Sequence, residues 1–442
     1  MATTETLVGP TTGLVSRIQD RRAGVVVLGQ GYVGLSLATW AAQKGFGVVG
    51  IDVDDTRVHE LSAGLLTVPG VDEKVFSAAV ASGRLRFTSE PAVVDRADVV
   101  IICVPTPLQD HVPDLSFVRA ACAVVAAQLT PGSLVVLEST TYPGTTEDVV
   151  RPILESSGLI AGSDFSLAYC PERIDPGNQR FELSQIPRVV GGVDDASAHV
   201  AATFYRQLVD EVATVSSCRT AELAKLLENT FRHVNIALVN EMAMLCRETG
   251  IDIWEVIKAA ATKPFGFMPF YPGPGVGGHC IPLDPTYLGW QMRRDAGHQF
   301  RILEQSQDIN AQMPAWVAAR ISDVLNDVGR PVNGTQILVL GVAYKAGVGD
   351  VRESPSLKVM NWLVRRGAEV AFHDPYVERV TVEGRRIDRI EVDSDSLRAA
   401  GCVALLTPHE TYDLDGIARD AQLIFDARNA YDRHDYPNVV GL

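Results

Sequence analysis

Cys280 follows a stretch, residues 272–278, that consists almost entirely of glycine and proline, and Asp284 lies four residues beyond it. Glycines let a main chain approach a ligand closely, and a cysteine becomes reactive where its surroundings favour the thiolate. The pattern therefore indicates a nucleophilic cysteine on a bent loop. A surface turn followed by a buried cysteine explains this stretch equally well when it is taken alone.

The composition is that of an ordinary globular protein. The chain has 442 residues, of which 46% are hydrophobic and 21% are charged, enough for about two to four domains. The net charge of −15 disfavours binding to nucleic acid or to an anionic membrane surface, because both carry the same sign of charge. A phosphate-bearing ligand must then be held by local basic groups and main-chain amides.

The seven cysteines indicate a reducing compartment. Their number is odd, and their spacing suits neither a disulfide framework nor a metal site, so we expect no metal. The N-terminus lacks a basic region followed by an apolar run, and no stretch of about 18 apolar residues occurs. We therefore expect a cytoplasmic protein without a membrane segment.

A dinucleotide-binding fingerprint opens the chain. Residues 24–28 are typical of a buried parallel strand, the spacing GxGxxG follows at residues 29–34, and a helical segment leads to a second strand at residues 48–51. The first glycine makes the turn, the second admits the pyrophosphate, and the third lets the helix pack on the strand. The segment predicts a site for NAD at the start of the helix. The predicted contacts are Gly29, Gly31, Tyr32, Val33 and Gly34.

Asp52 closes the second predicted strand. A carboxylate there can accept hydrogen bonds from both ribose hydroxyls and would repel a 2′-phosphate, which favours NAD over NADP. Arg57 follows closely in the sequence. It could accept such a phosphate, or it could be a solvated residue on the following helix.

Other predicted strands also end in polar residues. In open α/β sheets, ligands bind beyond the carboxyl ends of the strands. Pro105 and Thr106 follow a predicted strand at residues 99–104, and Thr141 follows one at residues 133–137. These residues are therefore predicted to lie over the nicotinamide half of the cofactor.

Glu172 and Arg173 follow a further predicted strand at residues 166–169. Glu172 could act as a base or as an orienting acid at this edge of the sheet. Equally, Glu172 and Arg173 could form an exposed ion pair without a catalytic role.

Residues 220–247 form one long predicted helix without glycine or proline. A helix of this length is more typical of a spine between domains than of a layer packed on a sheet. Lys225, Asn229 and Arg232 fall at i, i+4 and i+7, so all three project from one face. They can form an anion-binding face or an ordinary solvated helix side, and the same helix could support a dimer.

The last third of the chain predicts a second, smaller Rossmann-like domain. A strand at residues 336–341 is followed by a turn without GxGxxG, so we do not assign a second NAD site. The predicted fold class is α/β, with two Rossmann-like domains with parallel sheets joined by a central helical domain with a long spine helix. The predicted domains are 1–214 for NAD binding, 215–328 for the helical part with the cysteine and the dimer contacts, and 329–442 for the C-terminal part.

Cationic side chains at the loop edges of the C-terminal domain are candidates for phosphate binding. They are Lys345, Arg352 and Arg428. Solvation at the surface is the alternative for each of them.

Several motifs spread along the chain together resemble the UDP-glucose/GDP-mannose dehydrogenase family. They are residues 29–35, Pro171-Glu172, residues 222–229, residues 277–284 and residues 345–354, in the order and spacing of the family. The resemblance covers nearly the whole chain. It implies oxidation of the C6 alcohol of a nucleotide sugar to the carboxylate with two NAD⁺ and no metal, as in polysaccharide biosynthesis.

The resemblance also implies catalytic roles. Cys280 would capture the intermediate aldehyde as a thiohemiacetal, which a second hydride transfer converts to a thioester that water hydrolyses. Lys225 and Asn229 would stabilise the alkoxide and the tetrahedral oxyanion. The residues that would place and activate water are Asp284, Glu172 and Thr141.

By the same resemblance, two sets of residues would contact the ligands. The cofactor set is Gly29, Gly31, Tyr32, Val33, Gly34, Asp52, Arg57, Pro105, Thr106, Thr141 and Arg352. The UDP-sugar set is Glu172, Arg173, Lys225, Asn229, Arg232, Phe270, Tyr271, Gly277, Lys345 and Arg428.

Within the family, the residues around the cysteine indicate a branch. His279 and Ile281-Pro282 are similar to the N-acetylhexosamine enzymes, whereas Leu283 stands where the UDP-glucose enzymes carry lysine. Residues 262–271 resemble the UDP-N-acetylglucosamine 6-dehydrogenase group. UDP-N-acetylmannosamine, UDP-N-acetylgalactosamine and UDP-glucose are the alternative substrates for the same chemistry.

Two other classes of protein remain open at this point. A two-electron hydroxyacid dehydrogenase shares the N-terminal domain and a helical spine, but it needs neither a nucleophilic thiol nor a third α/β domain. An inactive nucleotide-sugar-binding protein would tolerate the loss of Lys225, Asn229 or Cys280, all of which are present.

Overall fold

The computed structural model describes residues 10–66, 68, 70–110, 112–173 and 181–442. The chain separates into two compact units, Met1–Glu228 and Asn229–Leu442. The division into three domains made from the sequence stays a prediction.

The first unit is built on an eight-stranded sheet, and most of its helices connect successive parallel strands. Its strands are β1 Gly24–Leu28, β2 Gly47–Ile51, β3 Leu85–Thr88, β4 Val99–Ile102, β5 Leu108–Gln109, β6 Val112–Pro113, β7 Leu134–Leu137, β8 Ser166–Tyr169, β9 Arg188–Gly192 and β10 Val212–Val215. Its helices are α1 Pro10–Gln19, α2 Tyr32–Gln43, α3 Asp55–Ser62, α4 Glu73–Ala81, α5 Ser116–Ala126, α6 Arg151–Glu155 and α7 Asp195–Tyr205.

The order of the strands is β10-β9-β8-β7-β4-β1-β2-β3, with β5 and β6 forming a separate antiparallel hairpin. Within the sheet, β1 pairs in parallel with both β2 and β4, while β8 and β9 run antiparallel. The chain therefore leaves β1 in one direction and returns to its other side at β4. A crevice at such a switch point is where open α/β sheets bind ligands.

Two central strands of this sheet, β4 and β7, are buried along their whole length. Continuous aliphatic runs of this kind belong to parallel strands that are covered on both faces. The predicted strand at residues 99–104 is shorter in the structure, since β4 ends at Ile102. Pro105 and Thr106 therefore lie on a loop that already begins at Cys103.

A 32-residue helix, α8 Cys218–Thr249, begins in the first unit and extends into the second. It confirms the predicted spine helix. Its length follows from a sequence free of glycine and proline, the two residues that most disfavour a helix interior.

The second unit combines helices with a smaller sheet of five parallel strands in the order β12-β11-β15-β16-β17. Its strands are β11 Gln336–Leu340, β12 Glu369–His373, β13 Arg379–Val382, β14 Arg385–Asp388, β15 Cys402–Leu405, β16 Ile424–Asp426 and β17 Val439–Gly441. Its helices are α9 Ile253–Ala260, α10 Cys280–Ala296, α11 Arg301–Asp327, α12 Pro355–Arg365, α13 Ser394–Ala399 and α14 Leu414–Asp420. The α/β fold class predicted from the sequence is confirmed.

Candidate active site

The three fingerprint glycines differ in what surrounds them, and each has the geometry that its predicted role requires. Gly29 has a φ of +88°, and a Cβ there would lie 2.6 Å from the carbonyl oxygen of Cys103. A Cβ on Gly34 would lie 1.8 Å from the carbonyl oxygen of Gly29, so the helix packs directly on the turn. A Cβ on Gly31 would meet nothing within 4 Å. The open side of Gly31 leaves room for a pyrophosphate.

The helix α2 begins at Tyr32, with Gly31 as its N-cap and no side chain capping it. Main-chain N–H groups in the first turn of a helix have no partner within the helix. Together with the positive end of the helix dipole, they suit an anion. Tyr32 and Val33 lie in this first turn, and their contacts with the cofactor stay a prediction.

Asp52 is buried at the end of β2, beside the fingerprint turn. Its Oδ2 accepts a hydrogen bond from the main-chain N–H of Gln30 at 2.8 Å, and its Oδ1 accepts one from the N–H of Asp54 at 3.0 Å. Arg57 donates to Oδ2 at 3.1 Å. Arg57 lies on the helix that follows β2, as the alternative from the sequence had it, and its partly exposed guanidinium pairs with Asp52 and approaches Asp54. Both carboxylates offset its positive charge.

The loops after β4 and β7 are joined to each other by hydroxyl groups. Thr106 Oγ1 donates to the carbonyl oxygen of Thr140 at 2.8 Å, and Ser139 Oγ donates to that of Val104 at 2.7 Å. Thr141 follows immediately, and its Oγ1 is fully buried without a hydrogen-bond partner in the described part of the chain. A buried hydroxyl without a partner is costly, so it calls for an explanation. A bound ligand or water would satisfy it.

Glu222 ties this same loop to α8, a contact that the sequence did not reveal. Its carboxylate accepts hydrogen bonds from the N–H of Gly144, the N–H of Thr146 and the hydroxyl of Thr146. Burial raises the pKa of Glu222 to about 7 although these hydrogen bonds oppose the shift. Because Lys225 follows less than one helical turn later, the loop of Thr141 and the lysine share one anchor.

Glu172 and Arg173 do not form the exposed pair that was considered from the sequence. Glu172 is buried, whereas Arg173 forms an ion pair with Glu228 of α8 at 2.8 Å and donates to the carbonyl oxygen of Pro187 at 2.7 Å. That alternative is wrong because Glu228 competes for the guanidinium. The predicted role of Arg173 in substrate binding must therefore operate alongside this pair.

The predicted anion-binding residues of α8 differ in exposure. Lys225 and Asn229 are 6% and 9% exposed, whereas Arg232 is exposed. Burial strengthens the electrostatic effect of an ammonium or amide on a neighbouring charge, because the local dielectric is lower. Lys225 and Asn229 thus fit the stabilisation of an oxyanion better than Arg232 does.

In the second unit, Cys280 is the first residue of helix α10, and its side chain is exposed. The other six cysteines are buried, and burial raises the pKa of the Cys122 and Cys402 thiols to about 12. The interpretation of Cys280 as a buried structural cysteine is therefore wrong. A helix N-terminus favours the thiolate through its dipole, so the exposed thiol also has the surroundings that the predicted nucleophile requires.

Asp284 lies one helical turn beyond Cys280 and is 2% exposed. Its Oδ2 accepts a hydrogen bond from Asn229 Nδ2 at 2.5 Å. Two of the predicted catalytic residues, distant in sequence, are thus brought together. The bond orients the carboxylate on the same face of α10 as the thiol, since residues four apart share a helix face.

The loop before Cys280 packs tightly on the turn that follows β11. A Cβ on Gly277 would lie 2.8 Å from both Pro355 Cδ and Tyr344 Cβ, so only glycine fits there. Gly278 donates its N–H to the carbonyl oxygen of Arg352 at 3.0 Å. Burial and the charge of Arg352 lower the pKa of His279. A neutral imidazole therefore precedes the thiol at neutral pH.

The remaining predicted substrate residues lie at loops of the second unit. Phe270 is partly buried with its ring 5.8 Å from that of Phe231, and the exposed Tyr271 stacks on Trp254 at 6.0 Å. Lys345 is partly buried in the turn after β11. None of these positions tests a contact with substrate, so their roles stay predictions.

Two predicted cationic contacts have different surroundings. Arg352 donates to Asp350 Oδ2 through Nε at 3.0 Å and through Nη2 at 2.7 Å, along one edge of its guanidinium. Arg428 donates through Nε to the carbonyl oxygen of Leu406 at 3.1 Å, and a Cβ on Gly273 would lie 2.4 Å from its Nη1. Burial lowers the pKa of Arg428 to about 10. A desolvated guanidinium favours an anionic ligand that restores its stabilisation.

Comparison with known proteins places the whole chain in one family. Residues 23–209 match the NAD binding domain of the UDP-glucose/GDP-mannose dehydrogenase family, residues 219–312 its central domain, and residues 338–433 its UDP binding domain. Each part of the candidate site described above falls within one of these matches or directly beside it.

Individual relatives share this family. The UDP-N-acetyl-D-mannosamine dehydrogenase of Pyrococcus horikoshii is 38% identical over 80% of this chain and 84% of its own. The NDP-N-acetyl-D-galactosaminuronic acid dehydrogenase of Ralstonia nicotianae is 34% identical over 92% of this chain and 96% of its own. A solved structure of the P. horikoshii UDP-D-ManNAc dehydrogenase superposes with a TM-score of 0.85, covering 95% of this chain and 98% of that one at 34% identity.

The residues around Gly31 and Thr141 fit NAD, since the turn offers an open cradle and the buried hydroxyl lacks a partner. The matched UDP binding domain likewise indicates a UDP-sugar substrate. Within the described residues, no helix is long and apolar enough to cross a membrane. The chain belongs to the UDP-glucose/GDP-mannose dehydrogenase family and is an NAD-dependent nucleotide-sugar dehydrogenase.

Proposed function

We propose that this enzyme oxidises the C6 hydroxyl of a UDP-N-acetylhexosamine to the carboxylate in two oxidations, with Cys280 as the covalent nucleophile. The observation that carries the proposal is the exposure of Cys280 at the N-terminus of α10, in a chain whose other six thiols are buried. NAD, when bound, accepts a hydride in each oxidation. The side chains of the protein must then bind the sugar, stabilise the charges that develop on it and transfer its protons.

In the first oxidation, the C6 hydroxyl loses a proton and its carbon loses a hydride. Lys225 and Asn229 would stabilise the developing alkoxide, since both offer buried donors. The Cys280 sulfur then forms a bond to the aldehyde carbon, and the carbonyl oxygen takes up a proton. The bound thiohemiacetal keeps a reactive aldehyde from escaping.

In the second oxidation, the thiohemiacetal carbon loses a hydride and its hydroxyl a proton, which leaves a thioester. Water then attacks the thioester carbon, the C–S bond breaks, and the acid leaves with the thiol restored. Asp284 is held by Asn229 and would accept the proton of that water, while Glu172 and Thr141 would orient it. Overall, two hydrides leave the sugar and one water enters.

The acetamido group at C2 of the sugar is the finer part of the proposal. His279, Ile281 and Pro282 favour N-acetylhexosamines, and residues 262–271 favour the gluco configuration, as in UDP-N-acetylglucosamine. The names of the relatives from P. horikoshii and R. nicotianae favour a second candidate of the same class, with manno or galacto configuration. All three differ from UDP-glucose in carrying the acetamido group.

A panel of UDP-sugars with NAD⁺ tests the substrate. The four sugars are UDP-N-acetylglucosamine, UDP-N-acetylmannosamine, UDP-N-acetylgalactosamine and UDP-glucose, and NADH is followed per sugar consumed. We expect the highest kcat/KM for UDP-N-acetylglucosamine and two NADH per sugar. A preference for UDP-glucose would contradict the acetamido assignment, and one NADH per sugar would indicate a two-electron dehydrogenase instead.

The Cys280→Ala variant tests the covalent mechanism. We expect net acid formation to be abolished while UDP-sugar binding, measured by calorimetry, is retained. Cys122→Ala removes a buried thiol of α5 and serves as the matched control. Undiminished acid production by Cys280→Ala would refute the role of the cysteine.

The assembly and location of the enzyme complete the proposal. Apolar side chains of α8 are exposed along one side at intervals of three, four or seven residues: Leu223, Leu227, Phe231, Leu238, Met242 and Leu245. Exposed apolar surface of this extent marks an interaction site, which supports a homodimer or higher homo-oligomer through this helix. Cysteines without a disulfide pattern separately support a reducing compartment, and we propose the cytoplasm. Leu238→Asp should then yield a smaller species in sedimentation, and an unchanged mass would contradict the interface.

A further inference from the structure

The loop that leads to Cys280 is held by a buried chain of hydrogen bonds whose side chains have no assigned role. Asn240 and Asn310 are 0% and 5% exposed and lie on α8 and α11. Gly273, at the start of the loop, donates its N–H to Asn240 Oδ1 at 3.1 Å. Asn240 Nδ2 in turn donates to Asn310 Oδ1 at 3.0 Å. The two amides thus extend from the loop to a second helix.

The chain of hydrogen bonds continues from Asn310 to His233 of α8. Asn310 Nδ2 donates to the carbonyl oxygen of His233 at 3.1 Å and lies 3.3 Å from its Nε2. Every donor therefore points the same way, from Gly273 through Asn240 and Asn310 to His233. This direction requires Nε2 of His233 to accept, which is the neutral imidazole.

The hydrogen-bond chain ends at the His233 ring, which is 3% exposed. Burial lowers the pKa of His233, and the main chain of Ile281 and Ser306 only partly offsets this shift. A neutral ring matches the acceptor role of Nε2. The hydrogen-bond chain therefore joins the loop at Gly273 to a neutral histidine on α8.

Asn310 also contacts the middle of the loop through its main chain. A Cβ on Gly275, which has a φ of +132°, would lie 3.1 Å from the carbonyl oxygen of Asn310. The loop thus has two points of support on helices α8 and α11, at Gly273 and Gly275, in addition to its contacts with the turn after β11. A loop rich in glycine has little stiffness of its own, so these supports contribute to fixing where the thiol stands.

We propose that Asn240 and Asn310 are positioning residues that set the place of the Cys280 thiol through the loop at 272–279. The inference rests on the proposed nucleophilic role of Cys280 and names what holds that nucleophile. Both amides act on the thiol through the loop, at Gly273 and Gly275.

The test is alkylation of Cys280 together with steady-state kinetics in Asn240→Ala, Asn310→Ala and the double variant. The probe is iodoacetamide, with modification of each cysteine followed by mass spectrometry. We expect slower alkylation of Cys280 at neutral pH and an upward shift of its pH midpoint, because a displaced thiol loses the helix N-terminus. We also expect kcat to fall about 10²-fold, with KM for NAD⁺ near that of the parent.

Asn361→Ala is the matched control. Asn361 of α12 likewise accepts a main-chain N–H, from Glu383 at 2.9 Å, but lies outside the proposed hydrogen-bond chain. We expect it to leave alkylation and kcat unchanged. The double variant should resemble the single ones, because residues of one network are not additive. If Asn240→Ala does not fold, Asn310→Ala decides alone.

The inference would be overturned if the folded Asn240→Ala and Asn310→Ala variants kept the Cys280 alkylation rate and the kcat of the parent. It would also be overturned if Asn361→Ala lowered both quantities as much as these variants do. Failure of the proposed function is distinguishable from these results. If Cys280→Ala still formed acid, the nucleophilic role would be refuted, while the alkylation data would still report whether the amides position the thiol.

Discussion

Both Rossmann-like sheets end their second strand at an aspartate, but the two aspartates have different tasks. Asp52 accepts one hydrogen bond from the fingerprint turn, from the N–H of Gln30, and also pairs with the partly exposed Arg57. Asp374 is fully buried and accepts from the N–H groups of Val342 and Ala343 at 2.8 and 2.9 Å. In the second sheet, an internal carboxylate therefore accepts the hydrogen bonds of two turn N–H groups, which leaves these groups unavailable to a ligand.

His409 also contacts the buried carboxylate of Asp374 in the second sheet. Its Nε2 lies 3.0 Å from Asp374 Oδ2, and its Nδ1 accepts the N–H of Gly347 at 3.1 Å. The aspartate thus fixes both the turn after β11 and, through His409, the segment that carries Lys345. In the first sheet, by contrast, the space beside Gly31 is open.

Asp374→Ala is the strongest way to break this comparison. It would leave two buried N–H groups and His409 without their acceptor, so we expect a loss of about 3–5 kcal/mol in the free energy of unfolding. Urea denaturation measures it. Asp388→Ala, which removes an exposed partner of Arg379, is the control and should change stability by less than about 1 kcal/mol. A similarly small effect for Asp374→Ala would mean that the internal anion is dispensable.

Asp52→Ala sharpens the comparison from the other side. We expect KM for NAD⁺ to rise roughly 10- to 100-fold, since the ribose would lose charge-assisted hydrogen bonds. Stability should fall less than in Asp374→Ala, because Asp52 accepts fewer hydrogen bonds from the turn. Asp20→Ala, at an exposed surface pair with Arg22, controls for the loss of a charge. A large loss of stability with an unchanged KM would make Asp52 a structural acid like Asp374.

The last prediction concerns pH, which changes the contributions of two buried acids to stability in opposite directions. Burial raises the pKa of Asp374, but hydrogen bonds from His409 and the turn amides outweigh it, so the pKa lies below 3.8. The contribution of Asp374 to stability is present above pH 3.8 and is lost as the pH falls through the lowered pKa. The pKa of Glu222 is raised from 4.5 to about 7. Between these two pH values, Glu222 binds more protons in the folded state than in the unfolded state. The contribution of Glu222 to stability is therefore lost as the pH rises toward 7.

Glu222→Gln tests this sign. We expect the free energy of unfolding of the parent, measured in urea across that pH range, to decline relative to the variant as the pH rises. Asp148→Asn, an exposed acid near the same loop, should follow the parent. A parallel course of Glu222→Gln and parent would show that Glu222 titrates no differently in the folded and unfolded chains.

Features encoded by neighbouring residues could be predicted from the sequence. The fingerprint glycines, the spine helix and the thiol before Asp284 follow from local spacing, and the structure has β1, α8 and the start of α10 at those places. The contacts of Glu222 with Thr146, of Asn240 with Gly273 and of His409 with Asp374 join residues 33–76 positions apart. No periodicity in the sequence predicts such pairs. The ion pair of Arg173 could not be predicted for the same reason, since its partner Glu228 lies 55 residues away.

Burial also separates residues that look alike in sequence. The seven cysteines have no pattern that distinguishes one of them by solvent access, yet the structure leaves Cys280 alone at the surface. Lys225 and Arg232 lie on one predicted helix face, yet only the lysine is buried. Packing against distant segments decides both outcomes, so local propensity cannot supply them.

The exposure of Cys280 alone among the seven cysteines has a practical consequence for the enzyme in air. Peroxide attacks exposed, thiolate-prone cysteines first, and the sulfenic acid that forms is reversible while the sulfinic acid is not. With the other six sulfurs enclosed in the protein interior, oxidative damage would concentrate on the one atom that the proposed chemistry cannot spare. Preparations kept without a reductant should lose turnover long before they lose their fold.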